Sequence, residues 1–574
     1  MCGIIGELNT AKTTRQKSHD YVINNIKHIV SRGPDKTKII HDDPHGLSLG
    51  MSTLSINNPA SNYGPYTSND ERYILVYNGE IYNERFLRSR YGIELNKNEN
   101  DAHLLLKLLQ LYREKCINLL RGMFCFAIYD RKLKELLIAN DPYGQKFIYW
   151  RCNKEKFVFC SSFLALRENS NIDDEFDSKF YQFENFIDNN TPYENIYKLK
   201  PASILRVNII NEEVFVAETS YYEIETNMKV NKTECADISD LIVSSILDCK
   251  VEHSALMLSG GLDSALLAAI LRPKIAITVS FEEHDAFDEE EKAKLVCERF
   301  GIEHIVLRPN RKIFEASFCD IASKLQYPIG NASIFPEYLV YKYLHARGVR
   351  VCYSGVGADE FFLGYERMRI FMNRVNSHAC QVPENYIPLS DYINKNYDES
   401  RSIIENYLAV LARNNQRFDV VELFNNKVHY QELGQLLSII EATISLPGLL
   451  RTTDALSGAF GIEVRSPFLN PDIVQAALSL PDELKLNDLM GTKAPLRMLA
   501  HEIGVPIEIV TDPVKRGFAA PYGLWRTGIA KSTSRGIFDR SQLVSDLVDL
   551  FRLNKKELRD PMFDLVNLEE IHHA

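Results

Sequence analysis

The 574-residue chain has eleven cysteines but no C-x-x-C pair. The odd count and the spacing supply neither a zinc site nor a disulfide framework. Most of these cysteines, such as Cys125 in "MFCFAIYD" and Cys352 in "VRVCYSG", are expected to be reduced core residues. Lysine- or arginine-rich runs are also lacking, and the net charge of −11 argues against a surface built to coat nucleic acid. No uninterrupted apolar run approaches the ~20 residues of a membrane span. The opening "MCGIIGELN" has no basic region ahead of its short apolar part, so it does not read as a secretory signal. A cytoplasmic protein with no membrane or nucleic-acid partner is expected. The acidic cluster "EEHDAFDEEE", Glu282 to Glu291, reads as a solvated loop and helix start.

What is present is ample core material: 45% apolar and 25% charged residues over a length that implies two or more domains. The first ~200 residues are strand-rich by pattern. "YILVYNGEIY", "MFCFAIYD", "ELLIAND", "FIYWRC" and "KFVFCSS" are short apolar runs between polar or Gly/Pro punctuation. Helices are expected over about 17–32 and 100–119, where apolar residues recur at three- and four-residue spacing. Strand-like alternation then gives way to a polar stretch, which places a linker at 206–232. From 233 onward the style changes: "SALMLSGGLDSALLAAIL" reads strand, glycine turn, helix, and further strand–helix alternation predicts a parallel sheet. Residues 366–460 read as mainly helical.

The stretch "SGGLDS" at 259–264 sits between an apolar strand and an apolar helix. Glycines there let a ligand approach the backbone, and the helix N-terminus favours phosphate. It is not a Walker loop, because G-x-x-x-x-G-K-[ST] is absent. Asp263 beside phosphates implies an intervening Mg²⁺. This loop resembles the pyrophosphate loop of ATP-pyrophosphatases, and further segments extend the likeness. "YSGVGADEFFLGY" (353–365), "DALSGAFGIEVRSPFLN" (454–470), "GTKAPLR" (491–497) and "DPVKRGFAAPYGLW" (512–525) follow in order, after "MCGIIG", "SRGPD", "LVYNGEIYN", "RGMFCFAIYD" and "DPYGQKFIYW" at the front. Along nearly its whole length the chain resembles the glutamine-hydrolysing asparagine synthetase family.

The resemblance implies an α+β N-terminal nucleophile (Ntn) sandwich of two antiparallel sheets with helices over 1–205. A linker at 206–232 follows, and then an α/β parallel-sheet ATP-pyrophosphatase domain with a helical C-terminal part over 233–574. It implies ATP and Mg²⁺ as cofactors, glutamine as nitrogen donor and a carboxylate acceptor, and leaves a homodimer open. Cys2 is the implied nucleophile, with its α-amine as base once Met1 is removed. Asn78 and Gly79 would donate to the oxyanion, while Glu80 and Asp101 would hold the substrate ammonium. Asn78–Gly79 alone also reads as a tight hairpin turn. At the second site the resemblance places Ser259, Gly260, Gly261, Asp263 and Ser264 on pyrophosphate. Ser354 and Gly355 fall near the adenylate, Met257, Leu258 and Val279 around adenine, and Asp263 and Asp359 on metal. Lys493 and Lys515 would offset developing charge.

Two positions depart from the family pattern. Thr53 stands where an arginine usually clamps the glutamine carboxylate, and Arg32 is the candidate substitute. Losing such a charge-assisted contact costs on the order of 1.5–3 kcal/mol. Val356 stands where asparagine synthetases carry glutamate, and valine moves no proton. An acceptor other than aspartate is therefore expected, with Glu463 or the leaving phosphate taking the ammonia proton. Asparagine itself, a lactam- or amide-forming ligase and an inactive regulatory homologue remain as alternatives.

Overall fold

The computed structural model describes residues 2–10, 15–56, 63–168, 170–223, 235–281, 289–378, 382–412, 419–424, 430–487, 490–513, 518–522, 525 and 540–553. The chain divides into two compact units. One comprises residues 1–176, 188–224 and 457–464; the other comprises 177–187, 225–456 and 465–574.

Strands of the first unit are, in chain order, β1 (Gly3–Asn9), β2 (Lys36–Asp42), β3 (Leu47–Thr53), β4 (Tyr66–Thr67), β5 (Tyr73–Ile81), β6 (Gly122–Asp130), β7 (Glu135–Asn140), β8 (Tyr149–Cys152), β9 (Lys156–Cys160), β10 (Tyr197–Lys198), β11 (Ser203–Ile210) and β12 (Glu213–Ser220). They form two antiparallel sheets, ordered β10-β8-β9-β1-β3-β2 and β12-β11-β7-β6-β5-β4. The period-2 rule explains how they pack. Ile4 and Leu8 of β1 and Leu47, Leu49 and Met51 of β3 join the core shared with β5 and β6. Ile5 points the other way, and across Gly50 it meets Val22 and Ile26 of the N-terminal helical segment, helical over Arg15–Asn25 and 3₁₀ over Ile26–Arg32. The helix Asp101–Tyr112 buries Leu104, Leu105, Leu108 and Leu109 in the shared core.

Two expectations fail in this unit. Residues 206–220, read as linker, are strand: β11 and β12 pair over eight residues along the sheet edge. Their alternation was strand signal that the neighbouring polar stretch obscured. Asn78–Gly79 is not a hairpin turn but lies inside nine-residue β5, opposite Cys125 and Phe124 of β6. Tertiary pairing overrides the local turn propensity.

A third sheet comprises β13 (Ser254–Met257), β14 (Ile275–Val279), β15 (Glu303–Leu307), β16 (Val351–Tyr353) and β17 (Glu463–Arg465), ordered β15-β14-β13-β16-β17. Pairings β13–β14, β14–β15 and β13–β16 are parallel. Crossover helices Leu262–Leu271 and Glu290–Phe300 carry the chain outward to β15. Helices Arg311–Leu325 and Ile334–Ala346 then return it to β16 on the far side of β13. The order therefore reverses between β13 and β16, and a crevice at the carboxyl ends of those strands is the usual ligand position in such sheets. Helices Glu366–Val375, Ile403–Leu411 and Leu433–Ile444 form a separate apolar cluster. The helical stretch Leu433–Ala459 is long and apolar enough to cross a membrane by composition, but 61% of its apolar window is buried within the protein. It is accounted for as a core element.

Gly79 has no room for a side chain. A Cβ there would lie 2.3 Å from the Met123 carbonyl oxygen and 2.7 Å from Phe124 Cα, both backbone. Gly79→Ala should therefore destabilise the first unit by about 1–3 kcal/mol, seen as a lowered urea midpoint at unchanged slope.

Candidate functional site

Cys2 shares the parity of Ile4, so its side chain falls in the space between the two sheets and is only 8% exposed. Its backbone is fixed from two sides. The Cys2 N–H donates to Asn78 Oδ1 at 2.8 Å, and Arg32 Nε donates to the Cys2 carbonyl at 3.3 Å. The thiol lies 3.9 Å from the Leu54 carbonyl oxygen. With Asn78 Oδ1 engaged, its Nδ2 is the group left to donate, and among the described residues it meets only the Cys125 sulfur at 3.8 Å. A neighbouring oxyanion would offer that N–H a stronger acceptor.

Burial pushes the Cys2 thiol up, and the Glu463 and Asp101 carboxylates add to that direction. A thiol so placed needs a base to become a nucleophile. Asp101 opens the helix Asp101–Tyr112, and its Oδ2 accepts from Tyr77 Oη at 2.7 Å and the Ile81 N–H at 3.2 Å. Burial pushes its carboxyl up to about 6. Glu80, half-buried, shares the parity of Asn78 on β5. Thr53 ends β3 with a buried Oγ1 that has no hydrogen-bond partner among the described residues. Arg32, the expected partner of a substrate carboxylate, donates from Nε to the Cys2 carbonyl. Glu463 lies in the 457–464 segment of the first unit, 2% exposed, where its charge acts on Cys2, Asp101 and Tyr77.

In the second unit a cavity of about 300 Å³ opens at the predicted crevice. The turn after β13 shapes one wall: Gly260 takes φ +65, and Gly261 precedes the helix Leu262–Leu271 in extended conformation. Ser264 Oγ reaches back to the Gly261 carbonyl at 3.1 Å and lies 3.3 Å from both Ser259 N and Ser259 Oγ. The turn after β16 shapes the opposite wall with Gly355, Val356, Asp359 and Glu360. A Cβ on Gly355 would lie 3.0 Å from Asp263 Cβ, so the glycine lets the two turns approach.

Lys493 ties the walls together. Its Nζ lies 2.7 and 2.6 Å from the two carboxylate oxygens of Asp263 and 2.7 Å from Asp359 Oδ1. Burial pulls its pKa down, opposed by Asp263. Two features permit this reach: Lys493 itself sits at φ +57, and Gly364 leaves the path open, since a Cβ there would lie 2.0 Å from Lys493 Cε. Glu360 accepts from the Gly357 N–H at 3.1 Å and Tyr365 Oη at 2.6 Å, which fixes the turn that carries Asp359.

Of the residues expected here, Met257, Ser259, Gly260, Gly261, Asp263, Ser264, Gly355, Asp359 and Lys493 line the cavity. Leu258, Val279 and Ser354 are buried behind the lining. Lys515 lies outside the described residues. Glu337 and Arg497 line the cavity and were not anticipated. Arg497 is committed to backbone carbonyls of Thr492, Val510 and Asp512.

A buried cysteine in an antiparallel two-sheet unit, followed by a phosphate-type crevice in a parallel sheet, defines a glutamine-hydrolysing ligase class of enzyme. The chain belongs to the asparagine synthase family: that family's model matches residues 247–565, and the glutamine amidotransferase domain matches residues 1–222. It is 28% identical over 590 residues to asparagine synthetase [glutamine-hydrolyzing] 1 of Bacillus subtilis, covering 94% of this chain and 90% of that protein. It is 24% identical over 376 residues to the amidase chry2 of Gibberella zeae, covering 59% of this chain and 54% of that one. Among solved structures, a glutamine phosphoribosylpyrophosphate amidotransferase of B. subtilis aligns at 14% identity with a TM-score of 0.27, over 66% of this chain and 80% of that one.

Because the Glu463 carboxylate adds to the upward push that burial gives the Cys2 thiol, Glu463→Gln should shift the pH midpoint of Cys2 alkylation by iodoacetamide to lower pH. Peptide mass mapping of Cys2 across a pH series checks this, with Cys152 as internal reference.

Proposed function

We propose that the enzyme uses glutamine nitrogen to amidate a carboxylate other than that of aspartate, through an acyl-adenylate. The convergence of Asp263, Asp359 and Lys493 on a cavity whose wall carries Val356 supports this reading.

At the first site, removal of Met1 would turn the Cys2 nitrogen, held by Asn78 Oδ1, into a free amine with a reference pKa of ~7.7–8.0. That amine takes the thiol proton. The sulfur then attacks the glutamine side-chain carbon, Asn78 Nδ2 and the Gly79 N–H stabilise the oxyanion, and ammonia leaves. Water cleaves the resulting thioester to glutamate and restores the thiol. Asp101 and Glu80 attract the substrate ammonium, and that cation would draw the raised Asp101 carboxyl back to its charged form. The Thr53 hydroxyl, which has no partner among the described residues, would donate to the substrate carboxylate.

At the second site the acceptor carboxylate attacks the α-phosphorus of ATP and pyrophosphate departs. Ammonia then attacks the acyl carbon, and AMP leaves with the carboxylate oxygen. The N–H groups opening the helix after Gly261, with the Ser259 and Ser264 hydroxyls, suit the pyrophosphate. Two carboxylates converging on one nitrogen form the oxygen donor set of a hard divalent cation, so Asp263 and Asp359 would hold Mg²⁺, which when bound neutralises phosphate charge. Lys493, released from the carboxylates, faces the charge that develops at phosphorus.

Cys2→Ala should abolish glutamine-dependent amide formation and leave ammonia-dependent formation near the wild-type rate. Loss of both, or of neither, refutes the assignment of Cys2. Lys493→Met should lower acid-dependent AMP release by about 10²-fold or more, measured by mass spectrometry with ammonia as donor. Asparagine formed efficiently from aspartate by the unaltered enzyme would refute the acceptor assignment.

A further inference from the structure

Among the described residues that line the cavity of the second unit, one acid has no cation that balances it. Asp263 and Asp359 share Lys493, Asp512 pairs with Lys292, and Glu360 feels Lys493. Glu337 lies 5% exposed on the helix Ile334–Ala346, and among the described residues it has no cationic partner. It meets three hydroxyls. Ser333 donates to Oε1 at 2.5 Å, while Tyr341 and Thr453 both donate to Oε2 at 2.8 Å. Ser333 and Tyr341 stand one turn before and one turn after Glu337, and Thr453 comes from the helix Leu446–Ala459, so the carboxylate is held rigidly at the wall. Oε2 is filled by two donors. Oε1 has one, which leaves it room for another.

A buried carboxylate solvated only by neutral hydroxyls is costly unless a cation completes it. Burial duly pushes its carboxyl up in the free protein. We infer that Glu337 receives a cationic nitrogen of the acceptor, so that the acid amidated here carries a protonated amine besides its reacting carboxyl group. This rests on the proposed acid-activating role of the cavity and adds a specificity determinant to it. The remaining wall suits such a substrate: Val356, Leu449 and Ala332 contact an aliphatic spacer without competing for its charge.

The test compares matched acids with and without the amine: β-alanine against propionate, 4-aminobutyrate against butyrate, and 6-aminohexanoate against hexanoate. Binding to the full-length protein, with Mg²⁺ and a non-hydrolysable ATP analogue, is followed by thermal shift and calorimetry. At least one amino acid of the set should bind about tenfold or more tighter than its partner, the loss expected of a charge-assisted contact, and Glu337→Gln should erase the difference. Glu337→Asp, which keeps the charge, should restore part of it. Equal binding of all pairs by the wild type, or a preference that survives in E337Q, overturns the inference, whether or not E337Q is less stable. AMP release is measured separately. An amine preference without AMP from any acid would leave the Glu337 assignment standing and remove the adenylating role.

Discussion

The second site depends on one ammonium group placed between two carboxylates that would otherwise repel. Asp263 comes from the turn after β13 and Asp359 from the turn after β16. These strands are adjacent and parallel, so their carboxyl-end turns are forced together at the place where the sheet order reverses. Lys493 balances the pair in a buried setting where an unpaired charge would cost several kcal/mol. The same geometry makes the arrangement exchangeable, since any group that brings positive charge to the carboxylates competes with the lysine and frees it for a phosphate.

The first site works on a different principle. Its elements are backbone positions in two facing sheets rather than turns. Parity puts Cys2 between the sheets, and Asn78 of β5 reaches the Cys2 N–H. The surrounding acids raise the thiol and Asp101 alike, so negative charge is in excess before any substrate arrives. An incoming ammonium is the natural complement. On the proposed function, carboxylates at each site would set which cations are admitted, and Cys2 or a bound phosphate would carry the chemistry.

Much of this was legible from sequence because local pattern and tertiary fold agree. The strand–glycine–helix run at 254–271 and the helix ended by Gly301 fold as their patterns state. The failures have physical causes. Asn78–Gly79 carries the strongest local turn signal, but β6 pairing holds it extended. Strands β11 and β12 look linker-like because β12 alternates half-buried with exposed side chains at a sheet edge. Glu337 lies in "QYPIGNASIFPEYL", a stretch that resembles a pocket-lining segment of the family, but nothing in that resemblance singled it out. The signal that could have found it is the S-x-x-x-E-x-x-x-Y spacing, which stacks three polar groups on one face of an otherwise apolar helix.

Gly364 carries a consequence for how this enzyme tolerates change. Its missing side chain is what the Lys493 stem occupies, so the lysine's reach is encoded at two positions far apart in the chain. Any library of variants should therefore find Gly364 as intolerant as Lys493, although glycine contributes no functional group. Alanine there would remove no functional group and still push the ammonium off its carboxylates. The evolvable surface of the pocket lies instead along the wall of Val356, Leu449 and Glu337, where side chains can be exchanged without disturbing that link.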